Sequence, residues 1–320
     1  MKQTGYNGVG FLRFLRKPKN VVSLLKGTLS EMMLDESLLL DHVKTEDYLM
    51  VALEIRPCSF LTIPAEFQNG DELGRKMDEL CREDFQAVLS AAADRKGVLI
   101  HKLKKRIQES FKKVVYASAV YEAHMKWSRK LFLQIYDVEV RPSIHELYLF
   151  KNSKIKKELR RLMNVRNAAR EKAALSMDVT QRRTSLAYPE ELSSEYLVSV
   201  GKLLGYPFCC VERYIHDRLH GDVDVETRAS RQVEELRKRE EEPDVYAYFV
   251  RDFFPCEPRC RSASAVGRKT FDLLSGVNPK LGDLYLECVR RNVEMVEKYP
   301  DLIRQYREKL KKRAEKLSKL

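Results

Sequence analysis

The chain has 320 residues, 44% of them hydrophobic, which is enough for packed cores and by length predicts two domains. Its formal net charge of +12 favours a polyanionic partner such as RNA, DNA or an acidic protein surface. The longest apolar run, residues 48–53, is far too short to span a bilayer, and the basic first 20 residues lack the apolar core of a secretory signal. We therefore expect a cytoplasmic protein without a membrane partner.

Residues 1–176 are predicted to form a mixed α/β domain that ends in a basic helical arm. Apolar runs and alternating patterns predict strands, and apolar residues three and four apart predict helices. The predicted strands are residues 48–55, 59–63, 97–103 and 131–140. The predicted helices are one or two short helices over 21–40, a helix opening at Gly70, a long helix over 104–130, and a helix capped by Ser143 that runs from 144 to 175, either continuous or broken near residues 152–153.

Residues 177–194 are polar and have no clear period, so we predict a linker there, followed by a helical domain over 195–320 that carries the cysteine site. Pro300 is expected to separate the last two helices. The helices predicted in this half are 195–204, 208–219, 225–242, 262–274, 281–299 and 302–320. The predicted fold class is α+β, mostly α, with a small mixed N-terminal sheet and a helical cysteine-containing domain after it.

Four of the seven cysteines fall in two short segments, and the first segment predicts a turn followed by a helix. Gly205 suits the positive φ of a tight turn, and Pro207 presets the φ of a first helical residue. Cys209 and Cys210 then lie in the first turn of a helix, where unpaired N–H groups and the helix dipole favour the thiolate.

The second segment places Pro255 and Pro258 around Cys256 and Cys260, and these prolines keep the backbone out of a helix. Two thiolate-favouring turns that face each other would make a metal site or a redox site. The other three cysteines are predicted to be structural. Cys81 and Cys288 lie on the apolar faces of predicted helices, and Cys58 lies in a turn between strands with no second ligand nearby.

Vicinal cysteines on a helix point about 100° apart, so they serve one site only through a cluster, two metals or a bent backbone. An iron–sulfur cluster meets that geometry more easily than Zn²⁺, so we expect a cluster at Cys209, Cys210, Cys256 and Cys260, with zinc as the alternative. The same thiols are also compatible with a redox or sulfur-transfer enzyme, or with buried core cysteines.

His216 and His220 follow Cys209 on the helix by seven and eleven positions, which places all three on one face. The shared face predicts a metal-ligand or proton-transfer role for the two histidines. The alternative is that both are exposed or cap the end of the helix.

A basic helix supplies the candidate polyanion-binding surface, because lysine and arginine displace the counterions of a phosphate backbone. The alternative is a solvated helix face. No phosphate-cradling glycine-rich loop is present in the sequence, which disfavours a nucleotide-hydrolysing enzyme. The seven predicted contact residues are Lys154, Lys156, Lys157, Arg160, Arg161, Arg166 and Arg170.

The segment 205–214, which reads GYPFCCVERY, with the segment 254–260, FPCEPRC, resembles an uncharacterised, mainly archaeal family of cytosolic proteins. That family shares a Gly-Tyr-Pro-x-Cys-Cys motif and a later Pro-Cys-x-x-x-Cys. The resemblance covers about residues 194–275. It implies that the four cysteines act as one site, and it implies no reaction.

These patterns give a cytosolic metal-binding protein of unknown reaction that contacts RNA or another polyanion through basic helices. A thiol redox or sulfur-transfer enzyme with the same cysteines is the second hypothesis, and a scaffold or interaction protein is the third. The sequence leaves open whether the protein is an enzyme.

Overall fold

The structure, a computed structural model, describes residues 21–176, 188–221 and 223–318. Most of these residues lie in helices, and three strands form one small sheet, so the predicted α+β, mostly α, class is confirmed. The sheet is antiparallel throughout, whereas the sequence predicted a mixed one. The predicted linker lies partly outside the described residues, and its described part forms a 3₁₀ turn, Pro189–Leu192.

Short helices and two π-helical turns precede the sheet, and longer helices surround it. The π-helical turns are Leu25–Leu29 and Val43–Leu49. The helices before residue 177 are α1 (Val21–Leu24), α2 (Ser30–Leu34), α3 (Met50–Ala52), α4 (Gly70–Ser90), α5 (Ala93–Val114), α6 (Ala119–Lys130) and α7 (Lys154–Ser176).

The part of the chain after residue 188 is helical, as predicted. A second 3₁₀ turn, Val245–Tyr248, precedes the second cysteine segment. The helices are α8 (Ser194–Leu203), α9 (Phe208–His220), α10 (Val225–Lys238), α11 (Arg261–Val277) and α12 (Pro279–Ser318).

The three strands β1 (Cys58–Ile63), β2 (Gln134–Arg141) and β3 (Ile144–Phe150) pair in the order β1–β3–β2. Because side chains alternate along a strand, Leu147 and Leu149 face the main core while Tyr148 and Phe150 face α7 and α8. The strands predicted at 59–63 and 131–140 are confirmed. The sheet therefore lies between the main core on one face and helices α7 and α8 on the other.

The predicted helix from 144 is wrong in its first part, because residues 144–150 form the central strand β3. A strand buried on both faces has no alternation of polar and apolar residues, so its pattern cannot be told from that of a buried helix. The same ambiguity explains the opposite error at residues 48–55. They were predicted as a strand, but residues 48–52 are fully buried in the second π-helical turn and in α3.

Three further boundaries differ from the prediction. Residues 97–103 lie inside α5 rather than in a strand, and Val98 is 76% exposed, so no sheet buries this segment. The predicted helix over 104–130 is interrupted, and the Ser118 hydroxyl caps α6 by accepting from the Tyr121 N–H. Pro300 lies within the continuous helix α12, although proline removes one backbone hydrogen bond and its ring crowds the carbonyl four residues earlier.

The largest apolar cluster contains residues from both halves of the chain. Tyr48 and Trp127 of the N-terminal half lie in the same cluster as Leu274 and Tyr285 of α11 and α12. A second cluster joins Met50 to the apolar residues around the cysteine segments. The predicted division into domains 1–176 and 195–320 stays a prediction.

No helix within the described residues is both long enough and apolar enough to cross a membrane.

A buried ion-pair network connects β3, α7 and the first 3₁₀ turn. The Arg166 guanidinium donates to both carboxylate oxygens of Glu146, at 2.6 and 2.8 Å, and to Glu190 at 2.7 Å. Arg170 donates to the same Glu190 at 2.5 and 2.8 Å. Burial alone would raise the pKa of Glu190, but the hydrogen bond from Arg170 and the charge of Arg166 lower it below its usual value.

Replacing Arg166 by methionine should lower the free energy of unfolding by about 3–5 kcal/mol, because it leaves Glu146 buried without its charged partner. Urea unfolding measures the change. Arg161→Met on the exposed side of the same helix is the matched control and should change stability by less than about 0.5 kcal/mol. Equal losses in the two variants would show that the network does not stabilise the fold.

Candidate metal centre

The first cysteine pair begins α9, and the turn before it is constrained by the N-terminal half. Gly205 has φ = +73°, and a Cβ at this position would lie 2.8 Å from Pro57 Cδ, so only glycine fits. Pro207 is the N-cap of α9. Cys209 and Cys210 are therefore in the first helical turn, as the sequence predicted.

The second pair lies at the start of α11. Cys260 is the N-cap of this helix, and its backbone N–H donates to the Glu257 carbonyl at 3.1 Å in a tight turn. The Ala263 backbone N–H lowers the pKa of the Cys260 thiol. Cys256, four residues earlier, is half-buried beside it. Cys209, Cys210 and Cys260 thus lie at helix N-termini, where N–H groups stabilise negative sulfur, and Cys256 lies in the loop before α11.

The structure brings the four sulfur atoms into one cluster. The Cys209 and Cys210 Sγ atoms are 3.9 Å apart, and Cys260 Sγ lies 3.7 Å from the first and 3.6 Å from the second. With Cys256 included, all four sulfurs lie within 4.8 Å of one another. Cys210 and Cys260 are buried, and Cys209 is the most exposed of the four. This group could hold a metal ion.

Burial and the crowding of the sulfurs raise the pKa values of the thiols, whereas the helix N-termini lower them. Burial raises the pKa of Cys256 to about 12, and burial with the three neighbouring sulfurs also raises the pKa of Cys210. Burial acts likewise on Cys260, but the Ala263 N–H and the neighbouring thiols outweigh it and lower its pKa. Four thiolates cannot coexist here without a balancing cation, because each disfavours ionisation of the next.

Arg228 connects the two halves of the cysteine cluster. Its Nε donates to Asp217 of α9 at 2.8 Å, and its Nη1 donates to the Pro255 carbonyl at 2.7 Å. The same Nη1 contacts Gln232, whose side-chain amide donates to the Cys256 carbonyl at 3.3 Å. Arg228 and Asp217 are both buried, so this pair holds the Cys256 loop against the helix that carries Cys209 and Cys210.

The predicted role of the histidines finds no support in the ligand geometry. His216 is on the surface, where its Nδ1 lies 3.7 Å from Asp217, and its ring centre is 6.1 Å from that of His220. Within the described residues, the groups close enough to share a metal ion contain cysteines alone. Proton transfer by His216 or His220 stays a prediction. Cys58, Cys81 and Cys288 are buried, as predicted for core residues.

The predicted polyanion-binding helix divides into two sets of residues. Arg166 and Arg170 form the internal ion pairs described above, and Arg166 is only 4% exposed, so their assignment as polyanion contacts is corrected. Burial of Ile155, Leu159 and Leu162 orients the opposite helix face outward. The cations on that outward face are Lys154, Lys156, Lys157, Arg160 and Arg161.

A second group of polar residues lines a cavity next to the metal centre, and no sequence pattern marked it. The π-helical turn Val43–Leu49 buries Glu46 and Asp47, and β1 is followed by Glu66. π-Helical turns are frequent at functional sites. The polar run Lys44 to Asp47, directly before the apolar residues 48–53, was the available signal. It was missed because residues 48–55 were predicted to form a strand.

The ionisable groups of this cavity have shifted pKa values. Burial raises the pKa of Glu46 to about 7 and that of Glu66 to about 7, although backbone N–H groups of Arg251 and Thr62, respectively, act against it. Burial, with the charge of Arg251, lowers the pKa of His42 to about 4. Both carboxyls thus titrate near neutral pH, which is common at functional sites.

Replacing Glu66 by glutamine should make the stability difference between variant and wild type grow as the pH rises from about 4.5 to about 7. The folded state holds the Glu66 proton more tightly than the unfolded state, so wild type loses stability over this range as that proton leaves. Glutamine does not titrate, so the free energy of unfolding of the variant, relative to that of wild type, should rise by about 1–3 kcal/mol over this range. Urea unfolding at several pH values measures it. A difference that is constant with pH would contradict the raised pKa.

Comparison with known proteins places a family domain over this centre. Residues 131–275 match the family described as "Protein of unknown function (DUF483)", and this range contains all four cysteines together with Asp217 and Arg228. No curated protein and no solved structure matches the chain. A DUF483 domain of unknown function is therefore found over residues 131–275, from just before β2 into the last turn of α11, and includes the complete cysteine cluster.

Proposed function

We propose that Cys209, Cys210, Cys256 and Cys260 bind one zinc ion in a closed tetrahedral site. The sulfur–sulfur distances carry the proposal. A tetrahedron with Zn–S bonds of about 2.3 Å has sulfurs about 3.8 Å apart. The three distances among Cys209, Cys210 and Cys260 are 3.6–3.9 Å. On metal binding the thiols would lose their protons, and the positive ion would balance the repulsion among the four thiolates.

A single ion fits this geometry better than the iron–sulfur cluster favoured by the sequence. In a cluster, inorganic sulfide lies between the irons, so thiolates on different irons are farther apart than thiolates on one ion. Here all four sulfurs lie within 4.8 Å. A cluster would require the two turns to separate, against the Arg228 contacts that join them.

Four cysteine ligands would leave no open coordination position, so the proposed zinc is structural. It would join the N-termini of α9 and α11 and fix the Cys256 loop between them. The raised pKa values of Cys210 and Cys256 argue against the alternative of thiol redox catalysis, which needs accessible thiolates, and Cys260, the thiol whose pKa is lowered, is buried.

Protein purified without oxygen should be colourless and contain one zinc per chain without sulfide, measured by elemental analysis and native mass spectrometry. Cys260→Ser should lose the metal and unfold at a lower temperature. Cys81→Ser, which changes a buried cysteine elsewhere in the fold, should retain the metal. Iron with sulfide would overturn the single-ion proposal, and metal-free protein with reversibly oxidised thiols would favour the redox hypothesis.

We further propose that the outward face of α7 contacts RNA or another polyanion. The specific observation is a stripe of five exposed cations opposite the buried apolar side of the helix. No ion pair involving these five side chains is present among the described residues. Lysines and arginines without acidic partners are free to displace counterions from phosphates.

Replacing Lys157, Arg160 and Arg161 by alanine should weaken binding of a single-stranded RNA of mixed sequence and reduce its salt dependence. Each lost phosphate contact should lower the slope of log K against log salt by about 0.7. Fluorescence anisotropy over a salt series measures both quantities. The matched control replaces three exposed cations elsewhere, Lys202, Arg239 and Lys269, with the same loss of charge. Equal effects of the two triple variants would contradict a specific face.

A further inference from the structure

Two adjoining cavities lie between the N-terminal half and the metal centre. The first has a volume of about 280 Å³ and is lined mostly by polar residues, among them His42, Glu46, Asp47, Arg56, Glu66 and Arg251. The second has a volume of about 190 Å³ and is mostly apolar, with Leu197, Val200, Leu204, Val211, Phe253 and Cys210 in its wall. Phe60, Tyr196 and Tyr206 border both, so the two cavities adjoin.

The polar cavity contains two carboxylates, Asp47 and Glu66, that accept no hydrogen bond from a cationic side chain among the described residues. Asp47 is 8% exposed, and the nearest positive group is Arg56 Nη1 at 3.8 Å, beyond hydrogen-bond distance. The side chain of Arg56 is already engaged by the carbonyls of Leu204 and Glu46 at 3.0 and 3.1 Å. Asp47 is therefore a buried acid in the cavity wall whose ion pair with Arg56 is long and includes no hydrogen bond.

Glu66 is in a similar position. Its nearest basic side chain is His42, 3.9 Å away. With its pKa near 4, His42 is neutral at pH 7 and provides no balancing charge. Arg251 Nη1 is directed to His42 at 3.4 Å and its Nε to Asp252 at 3.8 Å. The cavity thus holds an excess of acidic groups inside a protein whose overall charge is +12.

A divalent metal ion is a poor match for these acids. The described residues bring together one group of three or more potential ligands close enough for a metal ion, and that group is the cysteine cluster. Asp47 and Glu66 line the cavity wall and belong to no such group. An organic cation, which is larger than a metal ion and forms directional hydrogen bonds, can reach acids so arranged.

We propose that the two cavities form one binding site for an organic cation with an apolar portion. Its ammonium or guanidinium group lies against Asp47 and Glu66 in the polar cavity, and its apolar portion lies among Val200, Leu204 and Phe253 in the second. Tyr206, at the border between the cavities, lies directly before the metal-binding turn. The proposal stands independently of the metal that the cysteines hold.

The test uses the full-length protein and three six-carbon probes that differ only in their head group: n-hexylammonium, hexanoate and 1-hexanol. Isothermal titration calorimetry at pH 7.5 should show saturable binding of n-hexylammonium and little or none of the other two. Asp47→Asn and Glu66→Gln should each weaken that binding about tenfold or more, since each removes one charge-assisted hydrogen bond. Glu195→Gln, which neutralises an exposed acid on α8, is the matched control and should leave binding unchanged.

A second variant tests the apolar part. Val200→Phe, which fills the apolar cavity, should abolish the preference for n-hexylammonium over n-propylammonium without weakening the shorter probe. Hexanoate binding as tightly as n-hexylammonium, or no binding of any amine by wild type, would overturn the proposal. These comparisons on wild type remain decisive even if the Asp47 variant fails to fold. The zinc content of the same samples shows whether the metal site is intact, so a failure of amine binding can be told from a failure of the metal proposal.

Discussion

The convergence of four thiols from two helix starts and an adjoining loop is the constraint around which the C-terminal half is arranged. Cys209, Cys210 and Cys260 lie at the starts of α9 and α11, Cys256 lies in the loop before α11, and together they bring four ionisable sulfurs within 4.8 Å. Such crowding is favourable only when a cation balances the charge. The surrounding structure contributes in two ways: the Ala263 N–H of α11 lowers the pKa of Cys260, and aromatic side chains between residues 246 and 254 pack beneath the loop.

The cysteine turns were predictable because their determinants are local. Gly205 and Pro207 specify a turn and a helix start, so the positions of Cys209 and Cys210 followed directly. The geometry between the two pairs was not predictable. The expectation of a cluster assumed that vicinal cysteines diverge, whereas both sulfurs reach the same Cys260 at 3.6–3.7 Å. That convergence depends on the angle between α9 and α11, which no local pattern encodes.

Two of the errors, at β3 and at residues 48–52, share one physical cause, which is burial on every side. Residues 146–150 of β3 and residues 48–52 are buried without interruption, so neither segment shows the period that separates strand from helix. Arg166 was predicted as a surface cation because the composition of a helix does not show which residues of other elements pack against each of its faces. Its partners, Glu146 and Glu190, come from β3 and the 3₁₀ turn and are distant in sequence. Helices with an exposed face, such as α4, were predicted correctly.

The Asp217–Arg228–Pro255 connection has a consequence for metal selectivity. Because protein contacts already order the Cys256 loop, the four sulfurs need not be gathered by the metal, and little conformational entropy is lost on loading. A cage that is rigid before binding favours an ion by its radius. A larger thiophilic ion such as Cd²⁺ must push the sulfurs outward against a buried ion pair, whereas a flexible loop would adapt to either.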